Sequence, residues 1–239
     1  CFCPQSHTGR HGSPTRRFRL RLDIMMNTSS SLSDQAYDAI ERMIVTLELP
    51  PGNVFSEGDL STRVGIGRTP LREALQRLAA DRLVIALPRR GMMVTQINAS
   101  EYLSLLDTRE VLDRLIAEQA AKRASPEERE KLRASSNRMK GAALIRDQNA
   151  FMRADRDCDD IMERACGNPY AYQAASSLHA HCRRFWSMHR HLGDLEQSAD
   201  LHAAIMNSIS DGDAIKAGKA SDSLIAYLKS FAHQALNLE

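Results

Sequence analysis

Residues 56–95 of the chain read SEGDLSTRVGIGRTPLREALQRLAADRLVIALPRRGMMVT. Ser56 begins an S-x-x-D motif, which starts a helix because the serine oxygen can accept a hydrogen bond from the backbone N–H three residues later. Gly65 ends this short helix, and Thr69 followed by Pro70 predicts the start of a longer one, with Thr69 as its N-cap. The segment therefore predicts two helices that are joined by a glycine turn.

The same segment ends in a predicted hairpin. Residues 83–87 and 92–97 are apolar and flank the turn sequence PRRG, so they predict two short strands with two arginines at the tip. Two helices followed by a hairpin have the outline of a winged helix-turn-helix, which places its second helix in a DNA groove. Arg68, Arg72 and Gln76 lie near the outer side of that helix, where arginines suit backbone phosphates and guanine edges.

The net charge of the chain is only +2, which by itself does not indicate a nucleic-acid-binding protein. Residues 31–97 hold eight arginines and eight acidic residues and are neutral as a whole. The second helix and the hairpin nevertheless concentrate six arginines: Arg68, Arg72, Arg77, Arg82, Arg89 and Arg90. Such a local basic patch is sufficient for phosphate contacts.

A supporting helix precedes this segment. From Ser33 onward, four apolar residues follow at helical spacing and predict one buried face: Ala36, Ile40, Ile44 and Leu47. The sequence LPPG then ends the helix, because proline cannot continue the backbone hydrogen bonding.

Residues 1–30 are rich in Arg, Gly, Pro and Ser and show no helical or strand period. We therefore predict a disordered basic tail, with a DNA-tracking arm as the alternative. Because the first residue is a cysteine, Met25 or Met26 is a plausible natural start.

Three motifs resemble the DNA-binding head of GntR-type bacterial transcription regulators: LELPPG at residues 47–52, LSTRVGIGRTPLREALQRL at residues 60–78 and PRRGMMV at residues 88–94. The resemblance implies a set of DNA-contacting residues on the recognition helix and the wing: Arg68, Thr69, Arg72, Arg90 and Gly91. The sequence departs from the family pattern at Gly67, where serine is more usual, and at Gly58, where some members have an arginine.

From residue 98 onward the sequence shows no strand pattern. Turn signals at residues 125–127, 167–169 and 211–213 separate helical stretches, and we expect six or seven helices. Helices that pack antiparallel in such a bundle leave a central cavity in which a ligand can bind.

This half resembles the FCD ligand domain of the FadR-like branch of the same family. The resemblance is carried by DTREVLD at residues 107–113, DRDCDDIMERACGNP at residues 155–169 and AIMNSISDGD at residues 204–213. Many members hold a divalent metal with one Asp and three His, and bind a small carboxylate beside it. By position, Asp155 and His202 match two of the metal ligands. Asp159 and Leu224 stand where the other two histidines would be, and Arg109 matches an arginine that faces the pocket.

The resemblance implies an effector site formed by four residues: Arg109, Asp155, Asp159 and His202. It also implies that Asp155, Asp159 and His202 form the metal site. Two carboxylates and a histidine can bind Zn, Ni or Mn through oxygen and nitrogen. The alternatives are that the carboxylates are solvated surface and that Arg109 forms a salt bridge with Asp107 or Asp113. Without a metal, two close carboxylates in a cavity favour a cationic or hydrogen-bond-donating effector, because like charges need compensation.

Two H-x-H pairs flank a basic segment further along the chain: His179 with His181, and His189 with His191. Residues at i and i+2 on a helix point apart and chelate poorly. We therefore predict ordinary surface or packing roles for these histidines. The alternative is that Arg183 or Arg184 reaches an anionic ligand.

These patterns predict a mainly α fold, with an N-terminal winged helix-turn-helix that carries a small β-hairpin wing and a C-terminal all-α helical bundle. The predicted domains are the tail at residues 1–30, a DNA-binding domain at residues 31–97 and an effector-binding and dimerisation domain at residues 98–239.

The favoured function is a homodimeric, ligand-responsive transcription regulator, more specifically a repressor, that binds a palindromic double-stranded DNA operator. Five cysteines without a CxxC pattern indicate a reducing, cytoplasmic location, and no apolar run reaches the about 20 residues of a membrane helix. One alternative is a metal-dependent enzyme that uses Asp155, Asp159 and His202, although the sequence offers no nucleophile–base pair. Another is a structural DNA-binding protein with a vestigial pocket.

Overall fold

The computed structural model describes residues 30–236, so the predicted tail lies outside the described residues except for its last position. The head, residues 31–97, comprises α1 (Leu32–Val45), β1 (Val54–Phe55), α2 (Glu57–Val64), α3 (Arg68–Ala80), β2 (Val84–Leu87) and β3 (Gly91–Val94). The sensor, residues 98–236, comprises α4 (Ala99–Arg123), α5 (Pro126–Leu144), α6 (Gln148–Cys166), α7 (Pro169–His189), α8 (Leu195–Asp211) and α9 (Ala214–Leu236). Within residues 30–236, none of the helices combines the length and the apolar character that crossing a membrane requires.

The first helix is fixed by a cap that the apolar spacing did not reveal. Ser31 accepts a hydrogen bond from the Asp34 N–H, and the Asp34 carboxylate accepts one from the Ser31 N–H, which completes a capping box. Ile40 and Ile44 are fully buried, as their spacing predicts. Leu47, which was predicted on the same face, instead lies beyond the helix end, with a φ of 62°.

The two helices of the helix-turn-helix follow the predicted order. The Ser56 side chain accepts a hydrogen bond from the backbone three residues later, and Gly65 ends α2 with a φ of 73°, a conformation that glycine adopts without strain. The prediction of Thr69 as the N-cap of the next helix is wrong, because α3 already begins at Arg68. Gly67 is the N-cap and has an extended backbone, so Thr69 lies inside the first turn.

The wing is a three-stranded antiparallel sheet in the order β1–β3–β2. The two hairpin strands are shorter than predicted, and the apolar pattern gave no indication of the two-residue β1. Gly91 starts β3 with a φ of 95°, and a side-chain carbon at this position would overlap the backbone oxygen of Phe55 on β1. Glycine is therefore required there for β1 and β3 to approach each other.

The sensor is organised around α4, which packs against α6, α7, α8 and α9. Its six helices in the described part agree with the predicted six or seven. Gly167 and Gly212 end α6 and α8 in the left-handed conformation, at two of the predicted turn signals.

One helix, α7, belongs to both halves of the molecule. Ala180 is part of the hydrophobic core of the head, although it lies in the sensor sequence. The His181 Nε2 atom is hydrogen-bonded to the backbone oxygen of Asp81, the C-cap of α3, at 2.9 Å. Arg184 donates to the backbone oxygen of Thr95 at 3.1 Å and to its hydroxyl at 3.0 Å. The head is thus packed directly onto a helix of the sensor.

Candidate DNA interface and effector cavity

The N-terminus of α3 presents the first candidate surface. Arg68, Thr69 and Arg72 are all exposed. The N-cap of α3 is Gly67, which has no side chain to satisfy the first backbone N–H groups. Exposed N–H groups and the positive end of the helix dipole favour an anion such as a DNA phosphate at this position.

Arg72 is already paired in the described structure. Its Nη2 and Nε atoms donate to the Glu57 carboxylate at 2.8 Å and 3.2 Å, and its side chain is 62% exposed. The hydrogen bond from Arg72 and the nearby charge of Arg68 lower the pKa of Glu57. DNA would therefore have to compete with Glu57 for the Arg72 guanidinium.

The tip of the wing presents two further arginines. Arg89 and Arg90 are both exposed, and Arg89 has a φ of 61° that turns the chain. Gly91 is partly buried, and its geometry is explained by the close approach of β1. The described structure thus leaves Arg90 accessible to DNA, while the contact assigned to Gly91 by resemblance stays a prediction.

The second candidate site is a cavity of about 60 Å³ inside the sensor. All four residues predicted at the effector site line this one cavity: Arg109, Asp155, Asp159 and His202. Leu224 lines the cavity as well. Phe151, Met152, Trp186 and Leu228 add apolar surface to its wall. The cavity is therefore an apolar pocket with a charged cluster in its wall, although the role of each predicted residue in ligand binding stays a prediction.

Asp155 and His202 form one end of the charged cluster. The His202 Nε2 atom lies 3.1 Å from Asp155 Oδ1, and its Nδ1 atom is hydrogen-bonded to the backbone oxygen of Ser198 at 2.7 Å. Burial alone would lower the pKa of His202, but the interaction with Asp155 outweighs it and raises that pKa. These contacts hold the imidazole in one orientation towards Asp155.

His179 lies between two carboxylates and connects α4, α6 and α7. Its Nε2 atom is 2.9 Å from Asp113 Oδ1, and its Nδ1 atom is 3.1 Å from Asp159 Oδ2, where the direction is not that of a hydrogen bond. Burial alone would lower the pKa of His179, but the charges of Asp159 and Asp113 raise it to about 9. His179 is therefore a buried imidazolium at neutral pH.

Arg109 forms the other end of the charged cluster. Its Nη2 atom is 2.6 Å from Asp113 Oδ2, so the salt bridge considered as an alternative is present, and the residue also lines the cavity. Burial would raise the pKa of Asp113, but the charges of Arg109 and His179 lower it to about 2. Asp113 is thus ionised at neutral pH and is shared between two cations.

Arg183 completes the cluster and also reaches the head. Its Nη1 atom donates to Asp159 Oδ2 at 2.7 Å and to Asp155 Oδ2 at 3.4 Å. Its Nη2 atom donates to Glu41 Oε1 on α1 at 3.4 Å. One guanidinium therefore contacts two carboxylates of the cavity wall and one carboxylate of the DNA-binding head.

The donor set of the cavity does not match the predicted metal site. Among residues 30–236 there is no group of three or more His, Cys, Asp or Glu side chains arranged to hold a metal ion. Asp155, Asp159 and His202 do line one cavity, but Arg183 already compensates the two carboxylates. Leu224 offers an apolar side chain where the family pattern has a ligand. The residues present therefore do not fit the predicted Zn, Ni or Mn ion.

His179 is a cavity residue that the sequence pattern missed, whereas Arg183 appears there only as an alternative contact for an anionic ligand. They lie four positions apart on α7 and therefore share one helix face, and Trp186 follows three positions later. His179, for which a surface or packing role is predicted, is 5% exposed and lies between two carboxylates. His189 is packed against an aromatic ring and His191 is exposed, as that prediction requires.

Comparison with known proteins identifies both halves of the chain. Residues 32–94 match the family of bacterial regulatory proteins named gntR, and residues 104–227 match the FCD domain. The HTH-type transcriptional repressor RspR of Escherichia coli (strain K12) is 23% identical over 200 residues, covering 82% of this chain and 88% of that protein. The probable D-xylose utilization operon transcriptional repressor of Paenarthrobacter nicotinovorans is 26% identical over 207 residues, covering 86% and 91%.

A solved structure, E. coli McbR/YncC, shares the fold with a TM-score of 0.76 at 15% sequence identity, and the match covers 87% of this chain and all of that one. The family and these relatives are transcriptional regulators, which rules against the metal-dependent enzyme considered as an alternative. The chain therefore belongs to the gntR family of bacterial regulatory proteins and is a transcriptional regulator with an FCD domain.

Proposed function

We propose that this regulator is a homodimeric repressor that acts in the cytoplasm and releases a palindromic operator when a small carboxylic acid enters the sensor cavity. The observation that carries this proposal is the position of α7. One side of this helix supplies His179 and Arg183 to the cavity wall, and another places Ala180 in the core of the head. A ligand in the cavity therefore contacts the same rigid element that supports the DNA-binding head.

The size and charge of the cavity support a small, partly apolar acid. Its volume of about 60 Å³ is less than half of the roughly 150 Å³ of an apolar protein cavity that accommodates benzene. Its cationic wall residues are Arg109, Arg183, His179 and, when protonated, His202, and they face three carboxylates. A ligand carboxylate can thus be compensated by protonation of His202, while a short alkyl part contacts the apolar wall.

The dimer and the palindrome belong together. Two heads related by a two-fold axis would read two half-sites in adjacent major grooves, and the exposed N-terminus of α3 would enter each groove. Repression is supported by the relatives named as repressors, RspR and the Paenarthrobacter protein. Light scattering of the purified chain should give twice the mass of one chain, and a monomer at operator-binding concentrations would contradict this part of the proposal.

The test of the function is operator binding with the full chain. Fluorescence anisotropy should show tighter binding to DNA from the region upstream of its own gene than to a scrambled duplex, and a panel of short carboxylic acids should contain one that weakens it. Arg72→Ala should reduce specific affinity by at least about tenfold, with unchanged circular dichroism and mass. Retained affinity in Arg72→Ala would contradict the assigned recognition helix.

A structural DNA-binding protein with a vestigial pocket is the second candidate. It is favoured by one observation, which is that the charged groups of this small cavity are already paired with one another. It predicts that no small acid changes operator affinity, so the same acid panel distinguishes the two functions.

A further inference from the structure

The junction between sensor and head contains a buried carboxylate that the effector site alone does not explain. Glu41 lies on α1 and is 3% exposed. The Arg156 Nη1 atom contacts Glu41 Oε2 at 2.6 Å, and the Arg183 Nη2 atom contacts Oε1 at 3.4 Å. A buried carboxylate needs such cationic partners, because losing one leaves part of its charge uncompensated in a region of low dielectric constant.

The two arginines that hold Glu41 differ in what else they contact. Arg156 also pairs with Asp38 on the head at 2.8 Å and does not line the effector cavity. Arg183 does line it, and its other nitrogen pairs with Asp155 and Asp159. Arg183 is therefore the partner of Glu41 that a ligand in the cavity can reach.

The contacts of Arg183 are unequal, which determines how it can respond. The contact with Asp159 at 2.7 Å has the length of a strong charge-assisted hydrogen bond, whereas those with Asp155 and Glu41 are both 3.4 Å. Asp155 has His202 as a second partner. A ligand carboxylate that binds the guanidinium at short range and draws it towards the cavity would therefore break a long contact before the short contact with Asp159.

A displacement at Glu41 has a direct path to the recognition helix. The helix that carries Glu41, α1, packs against α3. The Tyr37 hydroxyl, one turn before Glu41, donates to Asp81 Oδ2 at 2.8 Å, and Asp81 is the C-cap of α3. Glu41 and the C-cap of α3 are therefore connected by a single helix, α1, and one hydrogen bond.

We propose that Arg183 performs two roles in this sensor: it binds the effector carboxylate, and it transmits binding to the head by releasing Glu41. This inference rests on the proposed function, since it describes how the same cavity is coupled to DNA. A carboxylate that bridges to Arg183 draws the guanidinium into the cavity. Glu41 then keeps only Arg156, and α1 becomes free to shift against α3.

The experiment uses acetate as the probe and Trp186 as the reporter. Trp186 is the only tryptophan of the chain and lines the cavity, so its fluorescence reports occupancy independently of DNA. Operator affinity is measured in parallel by anisotropy, with chloride replacing acetate at constant ionic strength, because salt alone weakens DNA binding. In the wild type, acetate should change the Trp186 emission even with EDTA present to remove metal ions. At saturation, acetate should weaken operator binding about 5- to 150-fold.

Three variants separate binding from transmission. Glu41→Gln should keep the Trp186 response but lose most of the acetate effect on operator affinity. Arg183→Lys should also uncouple them, because an ammonium is a point charge that can bind a carboxylate without forking to Glu41. Arg183→Gln should lose both responses, and the matched charge change Glu130→Gln, on the exposed side of α5, should lose neither.

The outcomes that would overturn the inference are specific. Full transmission in both Glu41→Gln and Arg183→Lys would show that the signal does not pass through this contact. A Trp186 response that appears only after addition of Zn²⁺ or Mn²⁺, or no response in the wild type, would show that Arg183 is not the ligand-binding cation. Absence of specific operator binding in the wild type would contradict the proposed function instead, while the Trp186 titrations would still decide the binding role of Arg183.

Discussion

The buried imidazolium of His179 stabilises the sensor at neutral pH, and this stabilisation is lost at alkaline pH. The pKa of His179 in the folded protein is about 9, above the ordinary value of 6.5 that the unfolded chain would have. A group with a raised folded pKa stabilises the fold fully below pH 6.5 and loses that contribution as the pH rises through 9. The rise from 6.5 to about 9 corresponds to roughly 3 kcal/mol of unfolding free energy.

The substitution that tests this is His179→Gln, which keeps a donor for Asp113 but removes the titrating charge. Urea unfolding followed by Trp186 fluorescence measures the free energy of unfolding of the sensor in both proteins from pH 6 to pH 10. Wild type should lose up to about 3 kcal/mol relative to the variant across this range, and most of the change should fall between the two pKa values. Taking the difference between the two proteins cancels the titration of tyrosines and cysteines elsewhere. Parallel pH profiles for wild type and His179→Gln would refute a charged His179.

Three further predictions concern other parts of the molecule. Glu57→Gln should raise operator affinity severalfold by freeing Arg72, which anisotropy would detect, and an unchanged or weaker affinity would contradict competition between Glu57 and DNA. Gly91→Ala should destabilise the head by about 1–3 kcal/mol, because Gly91 has a positive φ and lies close to β1. Gly67 has an ordinary φ and open space around it, so Gly67→Ala should leave the thermal unfolding temperature nearly unchanged. Equal effects of the two substitutions would contradict this account of the wing. Leu224→Ala should enlarge the cavity and cost about 2–5 kcal/mol in urea unfolding, and a loss well below that range would indicate that the cavity wall collapses.

The head was largely predictable because its signals are local. The cap at Ser56 and the glycine that ends α2 act on their own turn of the helix, so their residue types are sufficient evidence. The start of α3 cannot be read from side chains, because a glycine N-cap gives no side-chain signal, while Thr69 offers a suitable cap that is not used. The strand β1 is not predictable from the sequence pattern, because two residues carry no period and only pairing with β3 makes them a strand.

The site was predictable only in part because its contacts are between helices. Asp155, Asp159 and His202 were found by resemblance, and the cavity brings them together. Nothing in the spacing of α7 identified the carboxylates that face His179 and Arg183, since these lie on α4, α6 and, for Glu41, on α1. The metal prediction rests on the family pattern. The guanidinium of Arg183, which comes from a fourth helix, changes the chemistry of the site.

Because Ala180 contributes to the core of the head, the head and the sensor cannot simply be separated and joined to those of other regulators. Cutting the chain near residue 97 would remove the sensor helix that covers part of the head, so an isolated head would expose apolar surface that it buries in the intact protein. A chimera that joins this head to another sensor would keep its packing only if the new sensor also supplied Ala180, His181 and Arg184 at the corresponding helix positions. The unit that can be exchanged between regulators is therefore the head together with the outer face of α7, and it does not coincide with a continuous segment of sequence.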